Sequence, residues 1–408
     1  MAAAAVLEFA PDGSRCGVPY HSVLVEGAFR FSLPTYLTVR AVVGRGSNGV
    51  VVSAHDARAG RLVAIKKLRG ALACDARDCQ RILWEVRLLR QLRHDNLISL
   101  VDLLLPSEQS GDEGSGDLYL VMPLLESDLH RIIYSGQPLT DEHVQFFVYQ
   151  MLVALKYLHS AGVIHRDVKP SNVLLNSDCC IKLADYGLSR PFAEHDMTEY
   201  VMTRWYRAPE VMLDTSHYGP SVDLWGVGCV LAELLGRKAL FPGKDYMDLL
   251  AHMTRVLGSP SEESLTFISN ERAKDYLRRL PRADKVPLAA LFPAANPLGL
   301  DLLERLLQFN PARRITAAEA LAHPYLANLH SDDPRYEPVC AHSIDLGVGA
   351  GQGGGAGAGA GDSALSSAPQ PGDGRFESLH QLLWDELRVF RPELPLHPPP
   401  VQLGRASA

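Results

Sequence analysis

At 408 residues, 47% hydrophobic and 21% charged, the chain has the composition of a globular protein and the length of two domains with tails. A net charge of −7 argues against a dedicated nucleic-acid binder. Seven cysteines with no CxxC pair and no zinc-ligand spacing point to reduced thiols in a cytoplasmic protein, with nuclear entry left open. The N-terminal apolar patch lacks a basic start and meets Glu8, so no signal peptide is expected. No apolar run approaches the ~20 residues of a membrane span.

Taken in order, residues 1–35 read as a short lead, in which Ser22 to Phe31 has the pattern of a hairpin turning at Glu26-Gly27. Strands are predicted over Tyr36–Val43, Val50–His55 and Leu62–Leu68, an amphipathic helix over Asp75–Leu92, and further strands near Leu97 and Leu118. After residue 122 long helical stretches take over, among them Asp141–Ser160 and Ser221–Leu235. A mainly-β part (36–122) followed by a mainly-α part (123–326) predicts an α+β, two-lobe fold with a ligand between the parts. Residues 327–345 end the globular pattern, and the Gly/Ala-rich tract 346–374 reads as a flexible linker. In 375–391, Phe376, Leu379, Leu382, Leu383, Leu387 and Phe390 recur at helical spacing, which predicts a helix docking on the body. The Pro-rich stretch 392–408 is predicted to be disordered.

Chemistry begins at Val43-Gly44-Arg45-Gly46-Ser47-Asn48-Gly49-Val50-Val51, between two strand patterns. Glycines at this spacing let main-chain N–H groups approach phosphate oxygens, although a plain hairpin turn reads equally well from this motif alone. Lys66, seventeen positions past Gly49, closes Val63-Ala64-Ile65-Lys66, a charge on an otherwise apolar strand. Such a charge needs partners. A phosphate and Glu85, on the amphipathic helix, would supply them, whereas strand alternation turns Lys67 to the other face. In His165-Arg166-Asp167-Val168-Lys169-Pro170-Ser171-Asn172, Asp167 can orient an attacking hydroxyl, Lys169 can neutralise a transferring phosphoryl group and Asn172 can ligate a metal ion. Asp185-Tyr186-Gly187 follows thirteen residues later with a second metal-binding carboxylate. Phosphoryl transfer asks for little beyond positioning and charge neutralisation, so these residue types are the expected ones.

Together with Ala208-Pro209-Glu210, these motifs resemble the eukaryotic protein kinase set in order and spacing over about Tyr36 to Cys340. The resemblance implies a bilobal fold binding ATP and Mg²⁺: Lys66 on the α- and β-phosphates and paired with Glu85, Asp167 as catalytic base, Asn172 and Asp185 on the metal. It further implies an adenine wall from Val51 and Ala64, and a hinge after Met122 comprising Pro123 to Leu125. Thr198-Glu199-Tyr200, ten residues before Ala208, is similar to the dual-phosphorylation lip of the extracellular-signal-regulated mitogen-activated protein kinases. That subfamily implies phosphate-binding arginines at Arg81, Arg166, Arg190, Arg204 and Arg207, and an acidic docking patch at Asp332 and Asp333. It also implies an upstream dual-specificity kinase, protein substrates with Ser/Thr-Pro sites, and phosphatases and docking-motif proteins as partners. No nucleic-acid or membrane partner is implied.

Four positions depart from the family pattern: Asn48 for a loop-tip aromatic, Tyr186 for Phe, Trp84 for an arginine beside Glu85, and Tyr336 for a second acid in the docking patch. Trp84 reads either as a tolerated surface aromatic or as a residue packed on the C-terminal helix. Scattered tyrosines and His143 and His159 read as packing residues. Two alternatives stand beside the kinase: a catalytically weak or dead scaffold of the same fold, opposed by the intact Lys66, Glu85, Asp167, Asn172 and Asp185, and a proline-directed kinase activated by a partner subunit, opposed by Thr198 and Tyr200.

Overall fold

The computed structural model describes residues 9–15, 17–46, 49–106, 116–191, 204–213, 219–344, 346 and 374–398. They fall into two compact units: Met1–Leu92, Ile98–Leu124 and Asp345–Ala408 in the first, Arg93–Leu97 and Leu125–Ile344 in the second.

The first unit is mainly β. Strands β1 (Phe9–Arg15), β2 (Val18–Val25) and β3 (Phe29–Pro34) form one antiparallel sheet in that order. Strands β4 (Leu37–Gly46), β5 (Gly49–Asp56), β6 (Arg61–Leu68), β7 (Asp102–Leu104) and β8 (Leu118–Pro123) form a second, in the order β4-β5-β6-β8-β7. The β2–β3 turn takes positive φ at Glu26 and Gly27 and is closed by the Ala28 N–H donating to the Val25 carbonyl at 3.2 Å. That is the turn whose twist suits a hairpin.

Within 1–35, the described residues from Val18 to Pro34 are therefore not merely a lead. Val23, Val25, Phe31 and Leu33 have their side chains wholly buried in one apolar cluster with Leu37, Val52, Ile65 and Tyr119 of the larger sheet. Phe31 stacks on Tyr119 at 5.7 Å between ring centroids. Alternating apolar residues in β2 and β3 explain this, because a sheet with one apolar face must cover it. The strand expected near Leu97 is only an isolated bridge to Leu183, and the edge strand lies five residues later at Asp102–Leu104.

Helix α1 (Ala76–Gln91) is capped by Asp75, whose carboxylate accepts from the Asp78 N–H at 2.9 Å. It packs against the C-terminal helix Gly374–Phe390, which buries Leu379, Leu383, Trp384 and Leu387. Glu386 on that helix accepts from Arg87 Nε at 2.8 Å and Arg90 Nε at 2.6 Å. Trp84 is 2% exposed, so it is a core residue and not a surface aromatic. Residues 392–398 are also not the free tail that their prolines suggest. Trp384 Nε1 donates to the Pro395 carbonyl at 2.7 Å, Leu394 is buried, and just ahead of them Arg391 pairs with Asp102 at 2.9 Å. A side-chain donor and one apolar anchor hold a segment that composition alone marks as loose.

The second unit is mainly α. Its longest helix, Asp141–Ser160, starts with a capping box between Thr140 and His143. The helix Ser221–Gly236 is apolar nearly all round and buries thirteen of its residues, as a central core helix does. Short strands β9 (Ser127–Asp128), β11 (Val173–Leu175) and β12 (Ile181–Leu183) form a three-stranded sheet, and β10 (Val163–Ile164) pairs with β13 (Arg190–Pro191). Residues 327–344 are strapped to the end of Asp141–Ser160: Lys156 pairs with Glu337 at 3.1 Å, and the Ile344 N–H donates to the Ala161 carbonyl at 3.1 Å. Among the described residues no helix is long and apolar enough to cross a membrane.

Removing the aromatic plug between the two sheets tests this packing. Phe31→Ala is expected to cost about 3–5 kcal/mol, the range for a buried phenylalanine. Urea or thermal unfolding measures it, and a loss under about 1 kcal/mol would show that the N-terminal sheet is an optional attachment.

Candidate active site

In the first unit, register sets the candidate nucleotide-facing residues side by side. Val51 lies opposite Lys66 and Gly44, and Ala64 lies opposite Met122. Since side chains two apart on a strand share a face, Val51, Ala64, Lys66 and Met122 share one face of the sheet. Pro123 ends β8, and Leu125 begins the second unit's portion of the chain. Gly49 has φ +144°, and a Cβ there would collide with the Lys67 carbonyl oxygen, so close strand approach by itself requires glycine. Arg45 is turned to an ion pair with Glu26 and lies over the Phe29 ring at 5.3 Å. Val43 is exposed. Ser47 and Asn48 lie outside the described residues.

The lysine pair divides as strand alternation dictates. Lys66 Nζ reaches Glu85 Oε1 at 2.6 Å, and both side chains are largely buried. Lys67 points the other way: it pairs with Asp117 at 2.6 Å, donates to the Arg30 carbonyl at 2.6 Å, and sits near the Phe31 and Tyr119 rings.

In the second unit, the loop after β10 gathers three candidates. Asp167 Oδ2 accepts from Lys169 Nζ at 2.6 Å and from Asn172 Nδ2 at 2.8 Å, while the Asp167 carbonyl also accepts from Asn172 Nδ2 at 2.8 Å. Both donors hold one carboxylate oxygen, and among the described residues no hydrogen bond occupies Oδ1. The Asn172 amide nitrogen is thus committed, which leaves its oxygen as the amide's acceptor. The Ala184 N–H donates to the Asn172 carbonyl at 2.9 Å, so Asp185 follows directly beside Asn172. Asp185 has φ +68°, a left-handed backbone that a non-glycine residue adopts at a cost. One carboxylate and one amide oxygen are the kind of donors that a hard divalent ion takes, with waters and phosphates as its other ligands.

The sequence reading missed what fixes this loop. Asp223, on the buried helix Ser221–Gly236, accepts from the His165 N–H at 2.9 Å, from the Arg166 N–H at 2.7 Å and from His159 Nε2 at 2.8 Å. Arg166 is itself left-handed, φ +70°, and the Asp223 carboxylate pins the strained turn. Burial pushes the Asp223 carboxyl upward, but the hydrogen bonds and charge from His159, the His165 charge and the Arg166 N–H outweigh it and hold the group below the usual carboxylate range. His159 is therefore a positioning residue as well as a packing one. Carboxylates inside the apolar run SVDLWGVGCVLAELLG, Asp223 first among them, were the available signal, because a buried charge demands partners. Also unforeseen is Arg314, whose guanidinium forks onto Glu210 of Ala208-Pro209-Glu210 at 2.6 and 3.0 Å, both side chains fully buried. His165 and Tyr186 meet ring edge to face at 5.8 Å, and Tyr186 is buried.

Thr198 and Tyr200 lie outside the described residues, as does the side chain of Arg190, whose backbone pairs with Ile164. Arg204 and Arg207 both approach Tyr246: Arg204 lies over its ring at 4.7 Å, and Arg207 Nη1 donates to its hydroxyl at 2.7 Å. Arg204 Nε is buried without a hydrogen-bond partner among the described residues. Arg81, on α1, pairs with Asp78 at 3.1 Å. Of the two acids expected in a docking patch, Asp332 is fully exposed, whereas Arg335 forks onto Asp333 and holds its carboxyl below the usual range. No group of three or more metal-ligating His, Cys, Asp or Glu residues occurs among the described residues.

Asp223 gives a pH test. A carboxyl whose folded pKa is depressed stabilises the fold above its unfolded value, about 3.9, and loses that contribution as pH falls through the folded value. Wild-type stability is therefore expected to drop with acid below about pH 4. Asp223→Asn should show a shallower acid slope and a loss of about 3–5 kcal/mol at neutral pH. Equal acid slopes by urea unfolding would remove Asp223 as the anchor.

Residues 37–326 match the protein kinase domain family. Extracellular signal-regulated kinase 1 of Dictyostelium discoideum is 45% identical over 380 residues, which is 92% of this chain and 66% of that protein. Mitogen-activated protein kinase 3 of Arabidopsis thaliana is 49% identical over 299 residues, 73% of this chain and 79% of that protein. Mitogen-activated protein kinase homolog MMK2 of Medicago sativa is 48% identical over 357 residues, 87% of this chain and 89% of that protein. Two units of mainly-β and mainly-α structure, the Lys66–Glu85 pair, the Asp167 loop and these identities agree: the chain is a serine/threonine protein kinase, a member of the extracellular-signal-regulated type of mitogen-activated protein kinases.

Proposed function

We propose that this kinase transfers the γ-phosphate of ATP to Ser or Thr hydroxyls followed by proline, with Mg²⁺ as its divalent ion, and is switched on by phosphorylation of Thr198 and Tyr200. Use of ATP and a divalent metal, an upstream kinase and protein substrates come with the family; the acceptor motif, the choice of Mg²⁺ and the dual switch are the proposal. The observation that carries it is the one-sided occupancy of Asp167: Lys169 and Asn172 hold Oδ2. Oδ1 remains to orient an acceptor hydroxyl and take its proton. Lys169 then stands beside the acceptor oxygen and offsets charge on the phosphoryl group. Asn172 and Asp185 would hold Mg²⁺, which when bound neutralises phosphate charge. Lys66, paired with Glu85, would hold the nonreacting phosphates.

For the lip, the pairing of Arg204 and Arg207 around Tyr246 supports a phosphate site that a modified Tyr200 would fill, with the buried Arg204 Nε as a waiting donor. An arginine drawn toward that phosphate shapes the position after the acceptor for proline.

Asp167→Asn is expected to lower phosphoryl transfer at least ~10²-fold, the scale of general acid–base contributions, while nucleotide binding stays near wild type. Retention of wild-type turnover would remove Asp167 from the reaction. On arrayed peptides, dually phosphorylated enzyme should prefer proline directly after Ser or Thr by at least tenfold, about 1.4 kcal/mol. A flat response at that position defeats proline direction, and equal activity before and after modification of Thr198 and Tyr200 defeats the dual switch.

A further inference from the structure

The start of helix α1 carries two thiols where capped helices usually carry an apolar staple. With Asp75 as the N-cap, Cys74 is the residue before the cap and Cys79 the fourth residue of the helix. Side chains at these two places pack against one another by the geometry of helix entry. Here both are cysteines, placed at the helix entry as a staple pair, and each thiol perturbs the other's titration. Cys79 is buried, and its N–H donates to the Asp75 carbonyl at 2.8 Å. Cys74 is partly exposed, and its Sγ lies 3.2 Å from the Ala71 carbonyl oxygen. His380, buried on the C-terminal helix, pulls the Cys79 thiol downward and is itself pushed up by it.

We propose that Cys74 and Cys79 form a redox-modification site, a dithiol that a hydroperoxide converts reversibly into an intramolecular disulfide at the start of α1. The neighbouring S–H and His380 stabilise a thiolate shared by the pair, so its first proton leaves below the ordinary thiol range and its second above it. Attack of the thiolate sulfur on the peroxide O–O bond gives a sulfenic acid and releases an alcohol, or water when the oxidant is hydrogen peroxide. The second thiol then attacks the sulfenic sulfur, and its proton leaves with the displaced hydroxyl as water. In sum two thiols and one hydroperoxide become one disulfide, one alcohol and one water. Access comes from the exposed side of Cys74.

The other described cysteines lack this arrangement. Cys229 is fully buried, and its thiol is pushed up by that burial. Cys179 and Cys180 are chain neighbours, whose disulfide would close a strained small ring, and Cys180 is also pushed up, by burial and Asp178. Cys340 stands beside Tyr157 rather than a second thiol.

The test uses the purified full chain, freed of reductant and treated with stoichiometric hydrogen peroxide. Remaining thiols are blocked with iodoacetamide, disulfides are reduced, and the released thiols are labelled with N-ethylmaleimide for peptide mapping. Cys74 and Cys79 should acquire the second label together, several-fold ahead of Cys340, and lose it when dithiothreitol precedes blocking. Cys74→Ser should abolish the second label at Cys79, and Cys79→Ser at Cys74. Because Cys74 is partly exposed, Cys74→Ser leaves the core intact and decides the matter should Cys79→Ser fold poorly. Labelling of Cys340 first, or of Cys79 unchanged in Cys74→Ser, overturns the proposal. The readout is independent of phosphoryl transfer.

Discussion

A lysine kept charged on a buried strand is the constraint from which the first unit is organised. Lys66 stands among residues of β6 that water does not reach, and an ammonium there is tolerated only beside a carboxylate. Glu85 is that carboxylate, so α1 must lie against the sheet at one rotation and one height. The requirement then passes outward. Asp75 fixes where α1 begins, and Arg87 and Arg90 tie its far end to Glu386 of the C-terminal helix. The next residue on the strand imposes a matching demand behind it, since Lys67 needs Asp117, the Arg30 carbonyl and two aromatic rings. The N-terminal sheet thus backs the same strand that the helix faces.

The second unit solves the equivalent problem with one buried acid. Asp223 sits in an apolar helix and accepts three hydrogen bonds, two from the backbone of His165 and Arg166. The helix supplies rigidity, and the carboxylate transfers it to a loop with a left-handed residue that would otherwise relax. Asp167, Lys169 and Asn172 inherit their geometry from a residue whose hydrogen bonds go to none of them.

Where chemistry depends on residue type and spacing along the chain, the sequence was readable. The helix limits Asp141–Ser160, the choice of Lys66 over Lys67 and the hairpin at Glu26-Gly27 all follow from local periodicity or turn chemistry. Long-range contacts were opaque. Nothing near Asp223 in the chain says that its partners lie 57 to 64 residues upstream. The lead became a sheet because its apolar face is short, and only the opposing sheet reveals what covers it. The stretch after Pro392 misled for the opposite reason: proline marks the absence of regular structure, not the absence of contacts, and Leu394 with the Pro395 carbonyl suffices to hold it.

Arg314 and Glu210 have a consequence for how this protein can change over generations. Both side chains are sealed from solvent, and the guanidinium also meets the face of Trp225 at 5.1 Å. Replacing either partner alone strands the other as a solitary ion in the interior, at a cost of about 3–5 kcal/mol. A pair of well-packed apolar residues could fill the same space without that cost, yet every single-step route to it crosses a state that has given up a large share of a marginal stability. The ion pair therefore persists through the height of the pass around it, and its two positions are free to drift only together.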